Sequence, residues 1–194
     1  MPKTLENLFN SKIRAKALKL IFRNPHTIFK AKEVSQRVKA DYYAVRRELY
    51  KLEQIKLLSS QTIPSSNKKG FILNNKFDFM SELKNLVLKS APISKDELGD
   101  KFKKLGKINL LLLSGIFLNQ NKSRVDLLLV GDGIMQKKLN VLIHDLESEV
   151  GRELVYAYMN TEDFKYRKSM FDKFILEILE GPKEIVINKL GLGI

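Results

Sequence analysis

Two dense apolar runs of strand length, Ile108–Leu113 and Val125–Val130, constrain this chain more than any other feature, with Asn109 and Asp126 their only polar residues. A strand with one wet face alternates polar and apolar residues. A run that is apolar almost throughout needs cover on both faces, which calls for helices laid over a sheet. Met135–Val150 offers one such helix, with Leu139, Leu142, Ile143 and Leu146 at helical spacing and Asp145, Glu147 and Glu149 along its later part. A strand is predicted at Glu153–Met159. Asn160 or Thr161 then caps a short helix containing Glu162 to Tyr166, and Ser169–Glu180 forms a last helix before Gly181-Pro182. This order predicts a small α/β domain around a mixed sheet.

The preceding residues follow a different pattern and carry a different charge. Residues 1–90 hold 19 basic and 7 acidic side chains, a net +12, whereas residues 91–194 hold 16 and 15, a net +1. Two domains follow, 1–90 and 91–194, joined between Ser90 and Ser94, where Ala91-Pro92 breaks the pattern. Ser94 and Glu97 form a capping box for a short helix at Lys95–Leu105. A concentrated positive field attracts phosphate backbones, and it also suits an anionic membrane surface. The chain has no cysteine, which fits a reducing cytosol and leaves no disulfide or thiolate chemistry. The apolar stretch Ile108–Phe117 is broken by Asn109, Ser114 and Gly115 and is too short to span a bilayer, so the expectation is a soluble cytoplasmic protein.

Within the basic half, a first helix is predicted over Leu5–Arg23. Ile13, Ala17, Leu20 and Ile21 face inward, and Lys12, Arg14, Lys16 and Lys19 face water or a nucleic-acid backbone. Asn24-Pro25 ends it. A second helix, Lys30–Val38, buries Ala31, Val34 and Val38. After a turn at Lys39–Asp41, a third helix begins with Asp41 as its cap. Val45, Leu49 and Leu52 pin this third helix inward, which leaves Tyr42, Tyr43, Arg46, Arg47 and Tyr50 on its other faces. Arginine pairs with a guanine edge, so Arg46 and Arg47 are candidates for base readout. Tyr42, Tyr43 and Lys51 are candidates for positioning contacts. Strands at Lys56–Gln61 and Gly70–Asn74 bracket a turn-forming loop from Ile63 to Lys69, with Lys68 and Lys69 charging its tip. Three helices followed by such a hairpin make a winged helix-turn-helix. A helix at Phe77–Lys89 then offers Phe79, Leu83, Leu86 and Val87 for packing, in a linker or a dimer contact.

With these residues in place, the chain resembles a family of prokaryotic regulators in which a winged helix precedes a minimal nucleotidyltransferase-like domain. Phe9–Glu53 is similar to the helical half of that family's DNA-binding domain, and Leu110–Asp132 to its nucleotidyltransferase core. The resemblance implies a Gly-Ser pair after the first strand, holding a nucleotide phosphate, and an Asp-x-Asp pair at the start of the second, holding divalent metal ions. This chain has Ser114-Gly115 and Arg124-Val125-Asp126 instead. A guanidinium in place of a carboxylate removes a ligand and adds repulsion, so Asp126 alone is a poor metal site. Ser114, Gly115, Arg124 and Asp126 are left as a candidate nucleotide or anion-binding remnant. The bland alternative is that Arg124 pairs with a surface carboxylate while Asp126 braces a loop. His26 and His144 have no neighbours spaced for a metal site, and Asp132 reads as a turn residue.

The expectation is therefore an α+β protein that binds double-stranded DNA in sequence-specific fashion to regulate transcription. Its carboxy-terminal domain self-associates as a homodimer or senses a nucleotide or other anionic effector, with no catalysis, cofactor or membrane partner. A divergent metal-dependent nucleotidyltransferase and a winged-helix protein-interaction adaptor are the alternatives.

Overall fold

The computed structural model describes residues 4–63, 67–89, 94–120 and 123–193. It is an α+β fold, with an amino-terminal helical stretch and a carboxy-terminal region of helices on a four-stranded mixed sheet. Two compact units account for it: Met1–Pro92 with Leu146–Arg152, and Ile93–Asp145 with Glu153–Ile194. The domain joint expected at Ser90–Ile93, and Pro64, Ser65 and Ser66 of the expected hairpin tip, lie outside the described residues.

The first unit opens with α1 (Thr4–Leu8) and α2 (Lys12–Arg23) where a single helix is expected from Leu5. The break has a local cause. Asn10 adopts a left-handed conformation (φ 47°), which asparagine tolerates, and the Ser11 side chain accepts a hydrogen bond from the Arg14 amide at 3.1 Å. The restarted helix is central to this unit, burying Ala17, Leu18, Leu20, Ile21 and Phe22.

Lys16 and Lys19, expected to face solvent, are buried at 8% and 7% exposure. The Lys16 ammonium lies 2.8 Å from the Glu149 carboxylate and donates to Ser148 Oγ at 3.2 Å, within the segment that completes this unit. Burial pulls the Lys19 pKa down, and the Glu149 charge opposes it. Helical spacing could not distinguish a wet lysine from one that buries its long stem beside a carboxylate.

Helices α3 (Ala31–Val38) and α4 (Tyr42–Gln54) follow, with Val34, Val38, Val45, Leu49 and Leu52 buried and Asp41 accepting from the Ala44 amide at 2.9 Å. Strands β1 (Leu58–Ile63) and β2 (Lys68–Leu73) pair antiparallel from Leu58↔Leu73 to Ile63↔Lys68. Phe29 adds a one-residue bridge to Phe71, with both hydrogen bonds at 2.8 Å. This bridge fixes the hairpin to the chain before α3. Helix α5 (Met80–Lys89) starts later than the expected Phe77 and buries Val87, while Leu86, and Phe79 just before the helix, are exposed.

Lys39 and Lys56 both sit in left-handed conformations, where they close α3 and α4. Glycine ordinarily fills such positions because an L residue there costs roughly 1–2 kcal/mol. A cation next to the last carbonyls recovers part of that. Lys56→Gly is expected to raise stability by about 0.5–1 kcal/mol after the entropy of the freer unfolded chain is subtracted. A shift of the urea midpoint at unchanged slope is the readout, and a lower midpoint would contradict the strain.

The second unit is built on β3 (Lys107–Leu113), β4 (Leu127–Asp132), β5 (Tyr156–Met159) and β6 (Glu184–Asn188), in sheet order β5-β4-β3-β6. Only β4 and β5 are parallel, joined through α7 (Gln136–Val150), the crossover helix that parallel pairing requires. Every residue of Leu110–Leu113 and Leu127–Val130 is buried, as double-faced cover demands. Leu110, Leu112, Leu128 and Val130 pack with Phe164 of α8 (Thr161–Ser169) and with Ile175 and Ile178 of α9 (Lys173–Glu180). Helix α6 (Lys95–Lys103) starts on the Ser94 cap, whose hydroxyl accepts from the Glu97 amide at 3.3 Å.

Two features depart from the sequence reading. The last helix does not begin at Ser169, since the chain turns at Phe171 (φ 52°) and Asp172 caps α9 by accepting from the Ile175 amide at 3.1 Å. Strand β6 lies where no element is expected, and it pairs antiparallel with β3. Among the described residues no helix is long and apolar enough to cross a membrane.

Candidate nucleic-acid interface

Helix α4 is held from below and presents its charged groups outward. Val45, Leu49 and Leu52 are buried, whereas Tyr42, Tyr43, Arg46, Arg47 and Lys51 are exposed, Tyr43 at 69%. Arg14 of α2 anchors the helix from the side, with Nε donating to the Glu48 carboxylate at 2.7 Å, a part-buried contact that periodicity gave no means of anticipating. Burial raises the Glu48 pKa, but the hydrogen bonds from Arg14 and Lys51 outweigh it and hold the carboxyl below its ordinary value.

A carboxyl whose folded pKa is depressed stabilises the fold above its unfolded pKa, near 4.3, and loses that contribution as pH falls through the folded value. Glu48→Gln should therefore be less stable than wild type at neutral pH, with the gap closing below about pH 4. Urea midpoints measured against pH check this, and a gap constant down to pH 3 would contradict it.

The cations over this face are not equivalent. The Arg46 guanidinium stacks 5.4 Å from the Tyr50 ring centroid and contacts its hydroxyl at 3.5 Å, which pushes the arginine pKa further up. Among the described residues Arg47 has no ion pair. Lys51 is engaged by Glu48 at 3.1 Å. Lys69, expected at the loop tip, lies in β2 and bonds Glu53 at 2.9 Å with its ammonium 4.6 Å from the Tyr50 centroid. The Glu53 carboxyl is held low by a hydrogen bond from Ser60 and then by Lys69. Lys68 is exposed and forms no ion pair among the described residues. The face thus offers Arg46, Arg47 and Lys68 as cations with no carboxylate partner among the described residues, beside two exposed tyrosine rings that meet edge to face at 5.2 Å.

The four residues of the candidate remnant also come together, with Ser114, Gly115 and Asp126 buried and Arg124 exposed. Asp126 is buried, and its two carboxylate oxygens accept from the backbone amides of Ile116 at 2.8 Å and Val155 at 3.0 Å. Ser114 donates its hydroxyl to the Val125 carbonyl at 2.5 Å. Gly115 (φ 52°) passes so close that a Cβ there would fall 2.2 Å from Asp126 Oδ1. Arg124 reaches solvent and pairs with Glu177 at 2.5 Å. It lines a cleft of about 580 Å³ together with Ser123, Glu177 and Glu180, so two carboxylates face one guanidinium.

The divalent ions implied by the resemblance do not fit these residues. Asp126 braces backbone with both oxygens, and among the described residues no group of three or more His, Cys, Asp or Glu could hold a metal. Asp132, read as a turn residue, ends β4 and accepts from the Thr161 amide at 3.0 Å and hydroxyl at 2.7 Å, which holds its pKa low.

Comparison of the chain with protein-family models, curated proteins and solved structures gave no match.

Proposed function

We propose that the chain is a cytoplasmic transcriptional regulator that binds double-stranded DNA in sequence-specific fashion, with residues 1–90 as a winged helix-turn-helix and α4 as its reading helix. The observation that carries this reading is the outward exposure of Arg46 and Arg47 on a helix whose opposite face is fixed by Val45, Leu49 and Leu52. A cylinder of that size fits a major groove, and a guanidinium fork matches the O6 and N7 acceptors of guanine. The β1–β2 hairpin with Lys68 stands as the wing, meeting backbone phosphate. Supporting this layout, Phe29 bridges Phe71 and so ties the hairpin to the helices.

The second unit, in this reading, works without nucleotidyl transfer, as a self-association or effector-sensing module in a homodimer. Two paired reading helices lengthen the recognised site. The occupied oxygens of Asp126 and the Arg124–Glu177 pair favour this over a metal-dependent transferase. Fluorescence anisotropy against a set of genomic duplexes tests the proposal. One class of fragment should bind preferentially, with affinity falling as salt rises. Equal, weak binding to every duplex at moderate salt would overturn it.

A further inference from the structure

The near-neutral charge of the second half conceals a local concentration. Between residues 165 and 173 the sequence Lys-Tyr-Arg-Lys-Ser-Met-Phe-Asp-Lys holds four cations against Asp172 alone. All of these residues except Asp172 are exposed. Tyr166 is 67% exposed and Phe171 77%. Asp172 is committed to the α9 amino terminus through the Ile175 amide, and it meets Arg167 only at 3.9 Å. Lys173 meets Glu177 at 3.9 Å, and Lys165 and Lys168 have no ion pair with another described residue. The carboxyl half of α8 and the turn after it are therefore cationic, while Glu162 and Asp163 keep the negative charge of the helix at its amino end.

Phe171 is the telling residue. Helix α8 closes with the Phe171 amide bonded to the Lys168 carbonyl and the Asp172 amide bonded to the Arg167 carbonyl, a pattern whose left-handed position ordinarily takes glycine. Elsewhere among the described residues that conformation falls to glycine, as at Gly115, Gly133 and Gly191, or to asparagine or lysine, at Asn10, Lys39, Lys56, Asn67 and Asn119. Asparagine tolerates it, and lysine gains from the helix dipole. Phenylalanine gains neither, and its ring stays in solvent. The dipole accounts for Arg167 and Lys168 near the carboxyl end of α8 but for none of the rings. Beside the patch, Arg167 also lines a cleft of about 790 Å³ that follows β5, whose wall adds the rings of Tyr156, Tyr158 and Phe174 and the carboxylate of Asp163.

We infer that this surface of the second unit binds single-stranded nucleic acid, with Tyr166 and Phe171 stacking on unpaired bases and Lys165, Arg167 and Lys168 meeting the backbone phosphates. Exposed rings interleaved with cations match that polymer, whose bases offer free π-faces at every step. A duplex hides those faces. A membrane-bound helix would gather its apolar residues on one side, whereas only Phe164 of α8 is buried and Lys165 and Arg167 flank Tyr166. The core of a protein interface is depleted in lysine. This inference is independent of the duplex-reading role of α4.

Anisotropy of the full chain with a fluorescein-labelled 20-nucleotide single strand, and separately with a duplex, tests it. Tyr166→Ala and Phe171→Ala are each expected to weaken single-strand binding about tenfold, leaving duplex affinity within about twofold. Arg46→Ala combined with Arg47→Ala should do the reverse, so the two roles fail separately. Phe171→Gly should raise the urea midpoint while losing the same single-strand affinity, which separates stability from binding. Phe171→Trp keeps binding, and the chain has no other tryptophan, so its fluorescence should be quenched on stacking. Single-strand affinity unchanged in both alanine variants overturns the inference. So does ring-dependent binding to vesicles containing phosphatidylserine, or ring-dependent dimerisation in sedimentation, if either occurs without the single-strand effect.

Discussion

Asp126→Ala is expected to destabilise the second unit by about 2–4 kcal/mol, because it strips a charged acceptor from the buried Ile116 amide and from the part-buried Val155 amide. The Ile116 and Val155 amides lie on opposite sides of the carboxylate, at 2.8 and 3.0 Å, and join the loop after β3 to the chain entering β5. A whole domain has only about 5–15 kcal/mol of stability, so this is a large fraction of the total. Gly115→Ala should act through the same contact. Its Cβ would collide with Asp126 Oδ1, and its φ of 52° is one that L side chains rarely adopt. Since the chain has two units, hydrogen exchange resolved by segment is the appropriate readout. Protection in Leu110–Leu113 and Leu127–Val130 should collapse while that of α2 and α4 is kept. Intact protection in Asp126→Ala, accompanied by loss of a metal-dependent nucleotidyl transfer that the wild type performs, would instead make the carboxylate catalytic.

The second large effect concerns binding. Removing whichever of Arg46 and Arg47 reads a base should cost about 1–3 kcal/mol on the preferred duplex, roughly fivefold to 150-fold, and much less on a scrambled one. Arg46→Lys separates charge from fork. It keeps the attraction to phosphate but loses the paired donors and the flat stack on Tyr50, so discrimination should fall more than total affinity. Lys68→Ala provides the contrast, weakening all duplexes alike and lowering the salt slope by about one. Both arginines are exposed, so neither substitution should move stability by more than about 0.5 kcal/mol. Competition anisotropy with preferred and scrambled duplexes checks this. Equal losses on both would reduce Arg46 and Arg47 to backbone contacts.

Sequence reading worked where a single physical cause was enough. Periodicity placed Val45, Leu49 and Leu52 inward, capping chemistry placed Asp41, Ser94 and Asn160, and the dense apolar runs required a sheet buried on both faces. It failed where a long-range partner decided the outcome. Lys16 and Lys19 read as solvent-facing because Glu149, far along the chain, is invisible to a local pattern. Strand β6 escaped because Glu184–Asn188 is short and its role depends on an open edge of β3. The charge of the second half, taken as one number, hid the cations around Tyr166 and Phe171. At the site, exposure of the reading-helix arginines was legible from spacing. The engagement of Lys51 by Glu48 and of Lys69 by Glu53 was not.

The proposed function requires α4 to discriminate among duplex sequences. Selection of bound fragments from a random duplex library, at physiological salt and with the full chain, measures this directly. It should enrich a defined motif containing guanine at one or more fixed positions, repeated as a pseudo-palindrome if two chains bind together, and the motif should lose definition in Arg46→Ala or Arg47→Ala. Recovery of fragments with no common sequence, at a yield unchanged by those substitutions, would contradict it.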